Sequence, residues 1–392
     1  MKRLSYSDRL LLALFLVIAL AIAGYSSYFV FDRAYTLAVK YVEVGHDYVS
    51  DEVWYVNVAR RYLKELFRVE MDYMPYSSKI SEGWLNPEHP PLGKYMIALS
   101  MLACGDKPIC WRIPSIIEAS LIPVILFLSY ARRAPIALLA GSAAAAAAAS
   151  DYILHRIGSV AMLDIHIAFF TSLAIFFVNR GKLLPALVMA GLALSVKYSG
   201  AALVGAIAFY YLLNKSISSR LRARIFAASI LMPISVFLIV YSPLIYFKGV
   251  TWFIEEGVIK ALAWHSTSRP PGGPPTSSPL EWIINGNPFF FSASKLIVAA
   301  ELNTIIHALA ILSIIIVLPA YIANPNTKAF SSLLYVMTMA MYYTIYFMGN
   351  KTLYSFYAVQ LTPAAAGAIA ELILMAKNHA KTSQGRHDRQ GE

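Results

Sequence analysis

A series of apolar runs, each about as long as a bilayer is thick, limits this chain more than anything else in it. Residues 10–31, 225–247, 304–323 and 329–348 carry no Asp, Glu, Lys or Arg. About 20 apolar residues in a helix cross a hydrocarbon core about 30 Å thick. In that solvent every backbone N–H and C=O must find a partner inside the protein, so a spanning segment is a helix or part of a closed barrel. These runs are continuous and do not alternate with period two, which points to helices. With 58% hydrophobic and only 14% charged residues, the expected fold class is all-α, a polytopic helical membrane protein.

Taken in order, apolar segments at 10–31, 113–130, 135–152, 162–178, 225–247, 304–323, 329–348 and 352–375 read as single crossings. Residues 183–213 are interrupted by Lys197-Tyr198-Ser199-Gly200 and read as a short hairpin. The total is about ten transmembrane helices. The first segment is too long and apolar for a cleaved signal peptide. The basic residues before it place the N-terminus in the cytoplasm, and the basic segments at 132–133, 179–182 and 215–224 fall on the same side. The expected organisation is one transmembrane domain, 1–376, with outer loops at 32–112 and 248–303. A basic tail, 377–392, is expected to be cytoplasmic and disordered. The net charge of +11 is read as topology and contact with membrane lipid, not as a nucleic-acid surface.

The first outer loop holds the densest chemistry. Ser50-Asp51 has the composition to cap a helix starting near Glu52. Val53, Val56, Ala59, Leu63 and Leu66 share one face of it, opposite Arg60, Arg61 and Lys64. The apolar segment 92–103 is too short to cross. Both are expected to be interfacial helices. Cys104 and Cys110, in one loop, admit either a small disulfide or two free thiols.

Several polar residues are candidates for chemistry. Asp51-Glu52 suits a base at the membrane edge, although capping and dipole stabilisation explain an acid pair equally well. In Glu88-His89-Pro90-Pro91-Leu92-Gly93-Lys94 the prolines fit a rigid turn, but the Glu, His and Lys around them are left without a reason. Arg112 stands where the next helix enters the bilayer, a common place for an anchoring Arg. Lys197 falls inside the apolar zone, where a charge needs a partner such as a lipid phosphate. Asp164 and Arg156 read as a buried pair. His265, in Trp-His-Ser-Thr-Ser-Arg, could meet Glu88 and His89 around a divalent cation, but no ligand spacing requires one. No metal and no cofactor are expected, and no nucleotide-binding motif is present.

These residues resemble the dolichyl-phosphate-mannose protein mannosyltransferases, within the GT-C group of membrane glycosyltransferases that use polyprenyl-phosphate sugars. The matching pieces are Asp51-Glu52, His89-Pro90-Pro91-Leu92-Gly93-Lys94, Arg112-Ile-Pro-Ser, Arg156 with Met162-Leu163-Asp164, the GLALSVKYSG run ending at Gly200, the Trp264 to Trp282 loop, and Phe356-Tyr357 with Pro363. The resemblance implies an inverting transfer of mannose from a polyprenyl phosphate to Ser or Thr hydroxyls of secreted or membrane proteins. The reaction would take place at the outer face of the membrane, which is the plasma membrane if the chain is prokaryotic. It makes Asp51, with Glu52, the catalytic acid pair. It places Arg112, Lys197, Lys94 and Arg156 at the donor phosphate, and Glu88, His89, Asp164 and His265 around the substrates. A dimer is compatible with it. Loop 248–303 is too short for the soluble domain that the eukaryotic members carry there, and Glu88 stands where that family is expected to have Asp. A lipid or glycan acceptor is the close alternative. A transporter or lipid flippase, suggested by the break at Lys197, is the alternative from another class.

Overall fold

The structure, a computed structural model, describes residues 6–45, 48–293 and 296–390. His46, at the head of the acid-pair stretch, lies outside the described residues, as do residues 1–5 of the basic N-terminal segment and the last two residues of the tail. The protein is built of helices, as expected, with one two-stranded hairpin. Helix α1 spans Tyr6–Glu43, α2 Glu52–Arg61, α3 Leu92–Cys104, α4 Pro108–Tyr130 and α5 Pro135–Ser150. They are followed by α6 (Tyr152–Gly158), α7 (Leu163–Asn179), α8 (Leu183–Val196), α9 (Ala201–Leu213) and α10 (Ser219–Lys248). Short helices α11 (Val250–Trp252), α12 (Ala261–Ser266) and α13 (Pro279–Ile283) precede strands β1 (Phe290–Ala293) and β2 (Leu296–Ala299). Helices α14 (Thr304–Ala323), α15 (Phe330–Phe347) and α16 (Thr362–Gln390) complete the chain.

Among the described residues, five helices are long and apolar enough to cross a membrane, or six if the bent pair α5–α6 is one span. Shorter apolar helices, α7, α8 and α9 among them, pack between these. The break between α5 and α6 bends the chain by 61°. At that break the buried Asp151 accepts hydrogen bonds from the Asn303 backbone N–H (2.8 Å), the Thr362 hydroxyl (2.7 Å) and His307 Nε2 (3.0 Å). One carboxylate thus ties the start of α14 and of α16 to the bend.

The hairpin at 183–213 forms. A Cβ on Gly200 would lie 2.4 Å from the Ala193 carbonyl carbon, so α9 folds straight back onto α8, and only glycine permits so close an approach.

Three expectations need correction. Helix α1 does not stop near residue 31. Nothing from 32 to 43 breaks a helix, and Ala34 and Ala38 bury against Ile116 of α4. Helix α2 has no solvated basic face. Arg60 is fully buried, with Nε and Nη2 2.5 and 3.0 Å from the Asp106 carboxylate and its guanidinium over Trp111, and Arg61 is buried as well. Short helices and the β hairpin occupy much of the second long loop. The last apolar segment does not begin as a helix at 352. Residues 351–354 are irregular, and a 3-10 stretch at Ser355–Leu361 leads into α16. Cys104 and Cys110 are joined as a disulfide between α3 and α4.

Candidate active site

A cavity of about 480 Å³ opens where α2, the turn before α3, the Trp264–Arg269 segment and residues 352–357 meet. Its wall includes Asp51, Glu88, His89, Arg269, three tryptophans (Trp54, Trp84 and Trp264) and the tyrosines Tyr55, Tyr354 and Tyr357.

Asp51 sits at the N-terminus of α2 but makes no capping hydrogen bond with its side chain. Instead Ser50 adopts a left-handed backbone (φ 55°), and the Asp51 carboxylate turns to the Tyr55 hydroxyl at 3.4 Å. Glu52 instead fastens the chain ahead of the helix, its Oε2 accepting the Val49 N–H at 2.8 Å. Burial raises the Asp51 carboxyl; Lys197 opposes this, Asp164 adds to it and the Tyr55 hydroxyl opposes it, leaving a pKa of about 6. That value suits a group that must be ionised near neutral pH and still accept a proton.

Glu52, the other half of the acid pair, is completely buried away from the cavity. The Arg112 guanidinium grips it two-fold, Nε to Oε1 at 2.8 Å and Nη2 to Oε2 at 2.7 Å. Arg112 Nη1 also donates to the Ala38 carbonyl at 3.1 Å, and Glu52 Oε1 accepts the Ala161 N–H at 2.6 Å. This pair links α1, α2, α4 and the turn before α7. Neither residue lines the cavity.

The Glu88–Lys94 run resolves into separate duties. The buried Lys94 ammonium donates to the Asn86 carbonyl (2.8 Å), the Asn86 side-chain oxygen (3.3 Å) and the His89 carbonyl (2.6 Å). An ammonium has three protons to give, so Lys94 is a clamp on the turn, and it too is absent from the cavity wall. A Cβ on Gly93 would stand 2.5 Å from Leu163 Cδ2, so this glycine lets α3 press on α7. The clamp holds Glu88 and His89 at the cavity rim. His265 Nε2 lies 2.9 Å from the Glu88 carbonyl oxygen, and its ring centroid is 5.2 Å from that of His89. Burial pushes the His89 pKa well below its usual value and, with Lys197 and Arg269 nearby, brings His265 down to about 4. Both imidazoles are neutral at pH 7. The buried Nδ1 of His89 has no hydrogen-bond partner among the described residues.

Lys197, in extended conformation at the end of α8, does not pair with an external group. Its ammonium lies 3.0 and 3.2 Å from the two Asp164 oxygens, and Gln360 Nε2 donates to Asp164 Oδ1 at 2.7 Å. It also sits 3.8 Å from the centre of the Tyr357 ring, whose side chain forms part of the cavity wall. The expected Asp164–Arg156 pair is therefore replaced by Asp164–Lys197. Arg156 turns to Glu301 (2.8 Å) and to the Ala299 carbonyl (2.9 Å), tying α6 to the end of β2.

The cation that does line the cavity is Arg269, which the sequence did not single out. Its guanidinium stacks 3.4 Å from the Trp264 ring centre and donates to the Trp264 carbonyl at 2.8 Å. Its backbone N–H is held by the Thr352 hydroxyl at 2.7 Å. The signal for it was the Trp-His-Ser-Thr-Ser-Arg string, in which only the histidine had drawn attention. Among the described residues, no three His, Cys, Asp or Glu side chains are placed to hold a metal ion.

Residues 88–247 match the family model described as dolichyl-phosphate-mannose-protein mannosyltransferase. The match begins at Glu88, so Asp51 and Arg269 lie outside it. A search of curated proteins finds no significant match. Among solved structures, the chain is similar to ArnT from Cupriavidus metallidurans in the apo state, at 16% identity and a TM-score of 0.55. It is similar to the same protein bound to undecaprenyl phosphate, at 15% identity and a TM-score of 0.53. Each alignment covers 94% of this chain and 60% of ArnT, so the chain spans 60% of the length of that relative. The S. cerevisiae Pmt1–Pmt2 complex bound to the sugar donor aligns over 71% of this chain and 37% of its own, at 16% identity, with a TM-score of 0.37. The ArnT likeness gives the chain the GT-C fold, and the family match bears out the resemblance read from the residues.

Proposed function

We propose that this chain is an inverting membrane glycosyltransferase that takes its sugar, mannose, from a polyprenyl-phosphate carrier and passes it to Ser or Thr hydroxyls of proteins. One observation carries the reading: a carboxylate released from capping duty, with a pKa of about 6, in a cavity walled by tryptophans and an arginine. The family match over 88–247 supports the donor class and the sugar, and the fold shared with a protein that binds undecaprenyl phosphate supports a lipid-borne donor.

In this reading the acceptor hydroxyl oxygen attacks the anomeric carbon from the side opposite the phosphate. The bond from that carbon to the phosphate oxygen breaks, and the carrier leaves as a polyprenyl phosphate. Asp51 takes the hydroxyl proton. Arg269 faces the negative charge that builds on the leaving oxygen, where a pre-placed cation in a shielded site stabilises the transition state most. Lys197 acts from behind Tyr357, setting the field around Asp51. The tryptophans offer apolar faces for sugar C–H groups, and the cavity-lining His89 and Glu88 offer polar contacts to its hydroxyls. Glu52, Arg112 and Lys94 support the site without touching substrate. The Cys104–Cys110 disulfide supports placing this end of the bundle in an oxidising space, at the outer face.

The test is transfer from radiolabelled polyprenyl-phosphate mannose to a serine-rich peptide by the purified protein, with and without Asp51→Asn. The variant should lose about 10²- to 10⁴-fold in rate, the usual worth of a positioned base. A folded variant with full activity would remove Asp51 from this role. Label appearing only in lipid would remove the protein acceptor.

A further inference from the structure

A second polar cavity, of about 370 Å³, lies at the other end of α4 from the candidate active site. From Pro108 to Tyr130 the helix rises about 33 Å at ~1.5 Å per residue, close to the thickness of a hydrocarbon core. The cavity wall includes Tyr130, Arg132, Thr327, Lys328 and Glu371, together with the apolar side chains of Ile136, Leu374 and Met375.

Its charges are unbalanced. Among the described residues Arg132 donates only to backbone carbonyls, of Ser129, Ala131 and Asn179. Arg180, close enough to repel both Arg132 and Lys328, donates to the Leu128 carbonyl. The Lys328 ammonium has no hydrogen-bond or ion-pair partner among the described residues; burial and Arg132 hold its pKa below the usual lysine value, Glu371 opposing this and Arg180 adding to it. The carboxylate at hand, Glu371, is already saturated. It accepts the Ser331 N–H (2.7 Å), the Ser332 N–H (3.0 Å) and the Ser332 hydroxyl (2.7 Å), capping the start of α15. The wall therefore carries two cations, Arg132 and Lys328, with Arg180 beside them, and one carboxylate whose oxygens are already taken up by the start of α15.

We propose that this cavity binds the phosphate headgroup of an anionic membrane phospholipid. An anionic phosphate supplies the missing charge and several acceptor oxygens for Arg132 and Lys328, and eases their repulsion with Arg180. The apolar flank of Ile136, Leu374 and Met375 gives the acyl chains a surface that a free anion would not need. The site is separate from the sugar-transfer cavity and does not rest on the function proposed above.

Native mass spectrometry of the full-length protein in neutral detergent tests this. The probes are phosphatidylglycerol, phosphatidylcholine and inorganic phosphate. Wild type should retain phosphatidylglycerol over phosphatidylcholine. The double variant Arg132→Gln/Lys328→Gln should lose at least fivefold of that adduct with an unchanged melting temperature. Lys328→Arg should keep it, as should Lys215→Gln on the exposed loop between α9 and α10. Equal adducts in wild type and the double variant would overturn the proposal. So would displacement of the lipid by millimolar inorganic phosphate, which would make the site one for a free anion.

Discussion

Removing the charge of Glu52 should damage the fold before it damages the chemistry. The residue is fully buried, and both its oxygens lie within 2.8 Å of Arg112 donors. Glu52→Gln keeps the shape but leaves the guanidinium without a counter-charge and sets an amide NH₂ against a donor. Breaking a buried ion pair from one side costs about 3–5 kcal/mol. Arg112→Met is the milder change, because the stranded carboxylate still accepts the N–H groups of Val49 and Ala161, at 2.8 and 2.6 Å. In the double variant neither charge is left alone. The cycle should therefore show a coupling of about 2–3 kcal/mol, roughly 30- to 150-fold in the unfolding equilibrium. Reversible unfolding in mixed micelles, followed by tryptophan fluorescence, measures all four species. Additive penalties would refute the pairing argument. An Arg112→Met protein with wild-type stability and a tenfold higher KM for the lipid donor would put Arg112 at the phosphate instead of in the scaffold.

Three further outcomes are expected. Because Asp51 must be ionised to act as a base and titrates near pH 6, kcat/KM should fall tenfold per pH unit below about 6. Lys197→Met removes the main charge that favours its ionised form, so the acid limb should move to higher pH; a limb that stays put would separate Lys197 from Asp51. Arg269→Gln should raise the donor KM or lower kcat by about 10- to 100-fold, the usual worth of a hydrogen bond to a charged group, while leaving the melting temperature within a degree or two. Gly200→Ala drives a methyl into the backbone of Ala193, and overpacking of this kind costs about 1–3 kcal/mol; an unchanged unfolding midpoint would mean that the α8–α9 turn is loose.

The comparison of sequence with structure is most instructive at the acid pair. Adjacent side chains on one helix point in different directions, so Asp51 and Glu52 cannot share a task, yet their identities give no hint of which one faces the cavity. Spacing located the Glu88–Lys94 run but could not show that Lys94 spends its three protons on the turn's own carbonyls. Arg269 was invisible because an arginine in a Pro- and Ser-rich loop looks solvated until Trp264 and Thr352 are seen to fix it.

The apolar runs alone determined that the chain is a helical membrane protein, because a bilayer leaves a segment of that length and composition few other states. The break at Lys197-Tyr198-Ser199-Gly200 likewise determined the hairpin, since only glycine tolerates the close return. Which charge meets which was decided only in three dimensions. Lys197 and Arg156 both lie within reach of acidic partners in sequence, but burial makes an unpaired charge so costly that packing geometry, not order along the chain, assigned Asp164 to one and Glu301 to the other.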